Sequence, residues 1–111
     1  SITALSGMSP NVSYSSSKAG VVNLARHIAV HYGPKGIRAN SISPGPLERT
    51  PDFDNHPDPI GRKKDYLDKM PVGRLGTAED IAPFITFLST DDASYASGAN
   101  FIVDGGWTII S

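Results

Sequence analysis

The fold of this chain is decided by the stretch GPKGIRANSISPG, residues 33–45. Glycine and proline mark a tight turn at its start, and a Pro-Gly break closes it. Seven residues, 37–43, lie between the turn and the break, which suits a short buried strand. A strand that follows a helix after so tight a turn suggests a parallel α/β unit. Ligands bind at the carboxyl ends of strands in such sheets, so we expect the loop opening at Pro44 to lie on the functional edge.

The residues before this strand predict a long helix. Gly7 and Pro10 mark a loop, Ser13 is the expected N-cap, and Gly33-Pro34 is the expected stop. Apolar residues recur at helical spacing between these limits: Ala19, Val22, Ala25 and Ala29, with Val21, Leu24, Ile28 and Tyr32 beside them. This apolar surface is wider than one core-facing stripe. The helix is therefore either buried on two sides of one subunit or in contact with another subunit.

The chain after this strand contains a long connector, two helices and a second strand. Residues 46–62 are rich in proline and aspartate, and we interpret them as either a solvated connector or a substrate lid. Residues 62–70 predict a short polar helix. Thr77 is the expected cap of a further helix that continues through Pro83. Residues 99–103 predict a second short strand before a Gly-Gly turn.

Composition excludes several classes of protein. The 111 residues suffice for one small domain, and a net charge of −1 favours neither nucleic acid nor an anionic membrane as partner. The chain has no cysteine, which excludes disulfides and thiolate metal sites and is compatible with a cytoplasmic location. No apolar run approaches the roughly 20 residues of a membrane span, and no signal-peptide pattern is present. The chain begins at Ser1 rather than Met, which suggests an incomplete chain, although processing could also remove a start methionine.

Tyr14 and Lys18 are the candidate reactive pair. Four residues apart, the phenol and the ammonium lie one turn apart on the same helix face. A nearby cation stabilises a phenolate, so such a tyrosine can give or take a proton near neutral pH. The same spacing also describes an ordinary surface helix, with the lysine in water and the ring covering apolar area. The neighbouring motifs must therefore decide between the two interpretations.

His27 and His31 form a second pair with the same spacing. Imidazoles are common metal ligands. No acidic residue or third histidine is near them in sequence. We therefore interpret both as ordinary residues of a helix surface and predict no metal site.

Five motifs in one order resemble the C-terminal part of a short-chain dehydrogenase/reductase. They are Tyr14-x-x-x-Lys18, GIRAN at 36–40 leading to Pro44-Gly45, GRLG at 73–76 with EDIA at 79–82, FLS at 87–89, and VDGG at 103–106. For residues 1–111 the resemblance implies an α/β fold, the C-terminal part of a Rossmann-type doubly wound parallel sheet without its N-terminal dinucleotide-binding half. It implies a substrate-binding loop at 46–72, a small alcohol or ketone substrate, NAD or NADP as cofactor, and a homotetramer or homodimer.

The resemblance also implies roles for three catalytic residues. Tyr14 matches the catalytic acid/base of the family. Lys18 matches the lysine that favours the phenolate of that tyrosine and bonds the nicotinamide ribose. Ser1 stands thirteen positions before Tyr14, where the family has its catalytic serine. A hydroxyl there suits the task of bonding the substrate oxygen.

Four further residues match positions that contact the cofactor in the family. Pro44 and Gly45 match the turn that approaches the nicotinamide. Leu47 stands where the family has a branched aliphatic residue whose backbone contacts the carboxamide. The family's threonine follows two residues later, whereas Thr50 here comes one residue beyond that position. We include Thr50 among the expected cofactor contacts with this difference in spacing.

The glycine-rich phosphate turn of the family, Gly-x-x-x-Gly-x-Gly, does not occur in these residues, nor does the residue that selects NAD or NADP. Either cofactor therefore remains open. A sugar or polyol, a 3-oxoacyl thioester and a steroid remain possible substrates, and the polar connector favours the first. The alternative is a truncated, inactive polypeptide that retains only surfaces for oligomer assembly.

Overall fold

The computed structural model describes residues 1–7, 9–48 and 62–110. The main elements are helix α1 (Val12–Tyr32), strand β1 (Ser41–Pro44), helix α2 (Arg62–Lys69), helix α3 (Ala78–Leu88) and strand β2 (Asn100–Val103). Short 3-10 turns span Ile2–Leu5, Gly33–Lys35, Asp91–Ala93 and Trp107–Ile109. β1 and β2 pair in parallel, with Ser41 opposite Asn100 and Pro44 opposite Val103. The predicted parallel α/β arrangement is confirmed.

Strand β1 is shorter than predicted. Ala39 and Asn40, which precede it, form irregular hydrogen bonds with residues 96–99, just before β2. The predicted strand covers 37–43, whereas β1 begins at Ser41. The carbonyl of Ala39 accepts a hydrogen bond from the Gly98 N–H at 2.6 Å. The Asn40 side chain accepts from the Ala99 N–H at 3.1 Å and donates to the Ala96 carbonyl at 2.8 Å. These side-chain bonds replace a regular strand ladder over this segment.

The prediction that Ser13 caps the long helix is wrong. Asn11 is the N-cap, and its side-chain oxygen accepts from the Tyr14 backbone N–H at 3.0 Å. The Ser13 hydroxyl donates to the same Asn11 oxygen at 2.8 Å. Asparagine is at least as good an N-cap as serine, and starting the helix earlier satisfies more backbone donors.

Helix α1 ends at Tyr32 with Gly33 as its C-cap, as predicted, but Gly33 is not the left-handed residue of the stop. Gly33 has a right-handed backbone and continues into the 3-10 turn, and its N–H bonds the Ala29 carbonyl. The left-handed residue is Gly36, with φ +81°, three residues later. Pro34 lies in the first turn of this 3-10 helix. Proline is suited to that position because the backbone N–H groups of a first helical turn have no partner within the helix. Gly36 thus redirects the chain toward β1.

Helix α3 begins at the predicted cap. Thr77 precedes it, and the Asp80 carboxylate accepts from the Thr77 backbone N–H at 2.8 Å and from its hydroxyl at 3.1 Å. The Arg74 guanidinium holds the same carboxylate in a fork, at 2.6 and 2.8 Å. These bonds fix the first turn of α3 against the connector before it.

The described residues bury a thin core and expose much apolar surface. Their buried apolar side chains are Val22, Ala25, Met70, Leu75 and Ala93. Val21, Leu24 and Val30 of α1 are more than half exposed. The wide apolar surface predicted for this helix is thus present and accessible. Burial of this surface against another subunit stays a prediction.

Serine side chains lie at the buried centre of the sheet. Ser41 and Ser43 point inward, and both hydroxyls donate to the Asn100 side-chain oxygen, at 2.9 and 3.0 Å. A buried hydroxyl without such a bond would be costly, so the pairing specifies the register of β1 on β2. In the part of the chain described here, no helix is both long and apolar enough to cross a membrane.

Candidate active site

Tyr14 and Lys18 lie together on one accessible face of α1. The Lys18 ammonium nitrogen is 5.3 Å from the centroid of the Tyr14 ring. Tyr14 is 42% exposed, so a small molecule can reach it. An ammonium over an aromatic ring at this distance is attracted by the ring quadrupole, which holds the two side chains together. The predicted one-turn pairing is therefore present in the structure.

The first turn of α1 fixes the backbone of Tyr14. The Asn11 cap holds its N–H, and the Ser17 hydroxyl donates to its carbonyl at 2.7 Å. Asn11 is a positioning residue that was not predicted from the sequence, although an asparagine three residues before Tyr14 is a recognisable N-cap signal. The hydroxyl oxygen of Ser15 is buried and has no hydrogen-bond partner among the described residues.

Ser1 begins a 3-10 turn that packs against α1 and β1. Its hydroxyl oxygen accepts from the Thr3 backbone N–H at 3.2 Å and from the Thr3 hydroxyl at 3.0 Å. The structure thus places Ser1 beside the helix that carries Tyr14 and Lys18.

Pro44 and Gly45 lie where β1 ends, at the carboxyl edge of the sheet. The Gly45 N–H donates to the Val103 carbonyl at 3.0 Å, which extends the pairing with β2. A Cβ atom on Gly45 would lie 2.7 Å from the Asp104 Cα. Packing of the two strand ends therefore requires glycine at this position.

Leu47 makes a contact that the sequence analysis did not predict. It forms an isolated parallel bridge with Gly76. The Glu48 N–H donates to the Gly76 carbonyl at 2.7 Å, and the Gly76 N–H donates to the Pro46 carbonyl at 3.0 Å. The Leu47 side chain fills the space where a Gly76 Cβ would lie. Thr50 and residues 49–61 of the predicted substrate-binding loop at 46–72 lie outside the described residues.

A cleft of about 240 Å³ opens at the same sheet edge, beside β2 and α3. Its lining is mostly apolar and includes Leu47, Met70, Val72, Phe84 and Val103. Tyr14 and Lys18 are not part of this lining. The cleft is therefore lined by Pro46, Leu47 and the end of β2. Tyr14 and Lys18 lie on α1 outside it, and Ser1 precedes the 3-10 turn that packs against α1.

Asp104 is held at this cleft by the turn that follows β2. Its carboxylate accepts from the Thr108 hydroxyl at 2.6 Å, from the Thr108 N–H at 2.8 Å and from the Gly106 N–H at 3.0 Å. Burial alone would raise the pKa of Asp104. The hydrogen bonds from Thr108 and Gly106 outweigh that effect and leave the pKa lowered. Asp104 is thus a charged cap of the final turn.

The residues on α1 fit one end of a dinucleotide. A phenol hydroxyl and an ammonium on one accessible face are suitable partners for the hydroxyls of a ribose. These two side chains do not by themselves form a binding site for the phosphates of a dinucleotide. Among these 111 residues the sequence has no glycine-rich turn of the required spacing.

A family model described as enoyl-(acyl carrier protein) reductase matches residues 1–108. The chain belongs to the short-chain dehydrogenase/reductase family. It is 36% identical over 111 residues to dehydrogenase/reductase SDR family member 6 of Aquarana catesbeiana, covering 96% of this chain and 45% of that protein. It is 38% identical to 2-(S)-hydroxypropyl-CoM dehydrogenase 3 of Xanthobacter autotrophicus, covering 99% of this chain and 44% of that protein.

Solved structures of the short-chain dehydrogenase/reductase family share the fold. A candidate 2-deoxy-d-gluconate 3-dehydrogenase from Agrobacterium tumefaciens, solved with bound NADP, superposes with a TM-score of 0.87 at 38% identity. The match covers 98% of this chain and 44% of that one. The chain thus spans less than half the length of the relatives it matches. The predicted Rossmann-type fold is confirmed for the part that it spans.

Proposed function

We propose that the protein carrying this chain is an NAD(P)-dependent oxidoreductase that interconverts a secondary alcohol and a ketone. The observation that carries the proposal is the accessible Tyr14 ring with the Lys18 ammonium 5.3 Å from its centroid, in a chain of the short-chain dehydrogenase/reductase family. The solved relative with bound NADP supports the choice of cofactor class. Nothing on α1 distinguishes NAD from NADP, so the proposal includes both.

Tyr14, Lys18 and Ser1 have the following proposed tasks in this reaction. The nicotinamide, when bound, takes up or gives the hydride. Tyr14 as phenolate accepts the hydroxyl proton of the alcohol in oxidation, and as phenol returns it to the ketone oxygen in reduction. Lys18 places a positive charge beside the Tyr14 ring. The Ser1 hydroxyl orients the substrate oxygen, and Lys18 also bonds the ribose.

The remaining predicted contacts belong to the sheet edge. Pro44, Gly45 and Leu47 are proposed to hold the nicotinamide end through their backbone, with Thr50 as a further contact. The bond from Gly45 to β2 and the bridge from Leu47 to Gly76 support this proposal, because they make the backbone of this turn rigid. A preorganised backbone costs less conformational entropy when it binds a ligand.

A small hydroxylated substrate, such as a sugar or a sugar acid, is the proposed substrate class. The polar composition of residues 46–62 favours it, and one solved relative is described as a candidate 2-deoxy-d-gluconate 3-dehydrogenase, whose named substrate is a sugar acid. Turnover of a panel of sugar acids, polyols, 3-oxoacyl thioesters and steroids tests the proposal. Turnover confined to the thioesters or the steroids would contradict it.

Replacing Tyr14 tests the proposed chemistry. In the whole protein Tyr14→Phe removes the exchangeable proton, so kcat should fall on the order of 100- to 10,000-fold. The dissociation constant of the cofactor, measured by fluorescence titration, should change little, because the ring and Lys18 remain. Near-normal turnover would contradict the assignment.

Tyr32→Phe is the matched control for this experiment. Tyr32 lies at the other end of α1 and also has a lysine over its ring, with the Lys35 nitrogen 5.7 Å from the centroid. Loss of the Tyr32 hydroxyl should leave kcat unchanged. A fall in both variants would show that the experiment reports on α1 stability rather than on proton transfer.

A second candidate concerns the 111-residue chain by itself. The absence of a glycine-rich turn in its sequence and the exposed Val21, Leu24 and Val30 favour a polypeptide that assembles with partners and has no activity alone. We expect the isolated chain neither to bind NAD(H) or NADP(H) nor to oxidise an alcohol. Saturable cofactor binding by this chain, measured by calorimetry, would overturn that expectation.

A further inference from the structure

Gly76 holds the turn after β1 through both of its backbone groups. Its N–H donates to the Pro46 carbonyl at 3.0 Å, and its carbonyl accepts from the Glu48 N–H at 2.7 Å. Leu47, between those two residues, forms the parallel bridge with Gly76, and its Cδ2 atom lies 2.7 Å from where a Gly76 Cβ would be. The backbone position of residues 46–48 therefore depends on where Gly76 lies.

One carboxylate fixes the chain on both sides of Gly76. Arg74, two residues before it, donates to both oxygens of Asp80, at 2.6 and 2.8 Å. Thr77, directly after it, donates to the same carboxylate from its backbone N–H at 2.8 Å and from its hydroxyl at 3.1 Å. A bidentate bond between a guanidinium and a carboxylate restricts orientation as well as distance. Asp80 therefore sets the path of the chain through Gly76.

We propose that Asp80 is a positioning residue for the nicotinamide end of the cofactor, acting through Gly76 on the Leu47 backbone. This inference rests on the proposed function, in which residues 44–47 hold the nicotinamide. A backbone that is already held in its bound conformation loses less conformational entropy when it binds a ligand. The bonds join residues of this chain to one another, so the role of Asp80 does not require this surface to be open to solvent.

The same carboxylate also caps α3, so a loss of activity by itself would not identify a positioning role. The two roles differ in the part of the cofactor that they affect. A general loss of stability weakens binding of the whole dinucleotide, because only the folded protein binds it. A displaced turn at residues 46–48 weakens the contacts of the nicotinamide alone. ADP-ribose, which is the dinucleotide without its nicotinamide, therefore distinguishes the two roles.

The dissociation constants of NAD(P)H and of ADP-ribose, measured by calorimetry on the whole protein, test the proposal. ADP-ribose 2′-phosphate replaces ADP-ribose if the protein prefers NADP. Asp80→Asn removes the charge and one of the two acceptor oxygens. In this variant the dissociation constant of NAD(P)H should rise on the order of 10-fold and that of ADP-ribose by less than about 2-fold, because ordering of the turn then opposes nicotinamide binding.

Arg74→Lys is a milder test of the same contact. Lysine keeps the positive charge but lacks the planar fork that bonds both carboxylate oxygens. This variant should show the same selective loss of NAD(P)H affinity at a smaller size. Its result decides the question if Asp80→Asn does not fold.

Two control variants separate positioning from charge and from stability. Glu79→Gln removes the adjacent carboxyl of the same helix turn and should leave both dissociation constants unchanged. Arg38→Ala removes hydrogen bonds to the carbonyls of residues 88, 90 and 96. It should lower the thermal midpoint and leave the ratio of the two dissociation constants as in the unmodified protein.

An equal rise in both dissociation constants, or a rise in neither, would overturn the proposal. A change of their ratio in Arg38→Ala as large as that in Asp80→Asn would also overturn it, since the effect would then follow stability. These outcomes leave the alcohol–ketone reaction untouched, because the Tyr14 variant tests it. Absence of NAD(P)H binding by the unmodified protein would instead contradict the proposed function and this inference together.

Discussion

Arg38 connects the end of α3 to the strand that leads to the sheet edge. Its guanidinium donates to the carbonyls of Leu88 at 2.8 Å, Thr90 at 3.1 Å and Ala96 at 3.0 Å. The last carbonyls of a helix have no partner within the helix and carry partial negative charge. The Arg38 guanidinium satisfies the Leu88 carbonyl at the end of α3 and complements that charge. Arg38 therefore joins residues about fifty positions apart.

Arg38→Ala should destabilise the protein. Hydrogen bonds from a charged donor contribute more than neutral ones, so we expect loss of the three bonds to cost about 2–4 kcal/mol. Urea unfolding at pH 7 measures it. Arg26→Ala is the control, since Arg26 is exposed on α1, and it should change stability by less than about 0.5 kcal/mol. Equal effects of the two variants would contradict the role of Arg38.

Helix α3 depends on one carboxylate at its first turn. Hydrogen bonds from the Arg74 guanidinium, and next from the Thr77 backbone N–H, hold the pKa of Asp80 well below its usual range. The same bond raises the pKa of Arg74. A carboxylate near a helix N-terminus also interacts favourably with the helix dipole. Asp80 thus fixes both the cap and the connector that carries Arg74.

The hydrogen bonds to Asp80 make the free energy of unfolding depend on pH in the acidic range. Its pKa is lower in the folded than in the unfolded chain, so its contribution is present above the unfolded value of about 4 and is lost as the pH falls below it. Asp80→Asn should flatten the fall in the free energy of unfolding below that pH and lower stability at pH 7. Denaturant titrations between neutral and acidic pH measure this.

Glu79→Gln is the control for this pH dependence, because Glu79 is the adjacent, exposed carboxyl of the same helix turn. Its pH profile should follow that of the unmodified protein. If Asp80→Asn and the unmodified protein lost stability in parallel on acidification, the Arg74–Asp80 pair would not carry the effect.

At the scale of the whole molecule, the loops that leave β1 and β2 pack against each other without space for side chains. A Cβ on Gly45 would meet Asp104, and one on Gly105 would meet the Val72 side chain at 2.7 Å. The Gly105 backbone is also left-handed, with φ +62°. The sheet edge that carries the proposed cofactor contacts is therefore held together by close backbone approach.

Gly45→Ala should disrupt this edge. The added Cβ meets backbone atoms, which cannot move aside as a flexible side chain can, so we expect a loss of about 1–3 kcal/mol. Gly20→Ala is the control. No atom lies within 4 Å of its added Cβ, and alanine favours a helix interior by about 1 kcal/mol over glycine. Thermal unfolding should move the midpoints of the two variants in opposite directions; a shift in the same direction would contradict this account.

The sequence by itself determined the features that depend on neighbouring residues. The periodicity of α1, the Thr77 cap, the two short strands and the pairing of Tyr14 with Lys18 all follow from residues within a few positions of each other. The order of the motifs also identified the family. These features are local because helical spacing and capping bonds join residues three or four positions apart.

Only the tertiary structure decided where distant segments meet. Strand β1 is short because Asn40 bonds to residues 56 and 59 positions away. Local periodicity carries no information about such distant partners. Their positions follow from close packing of the whole chain and from the need to pair every buried polar group.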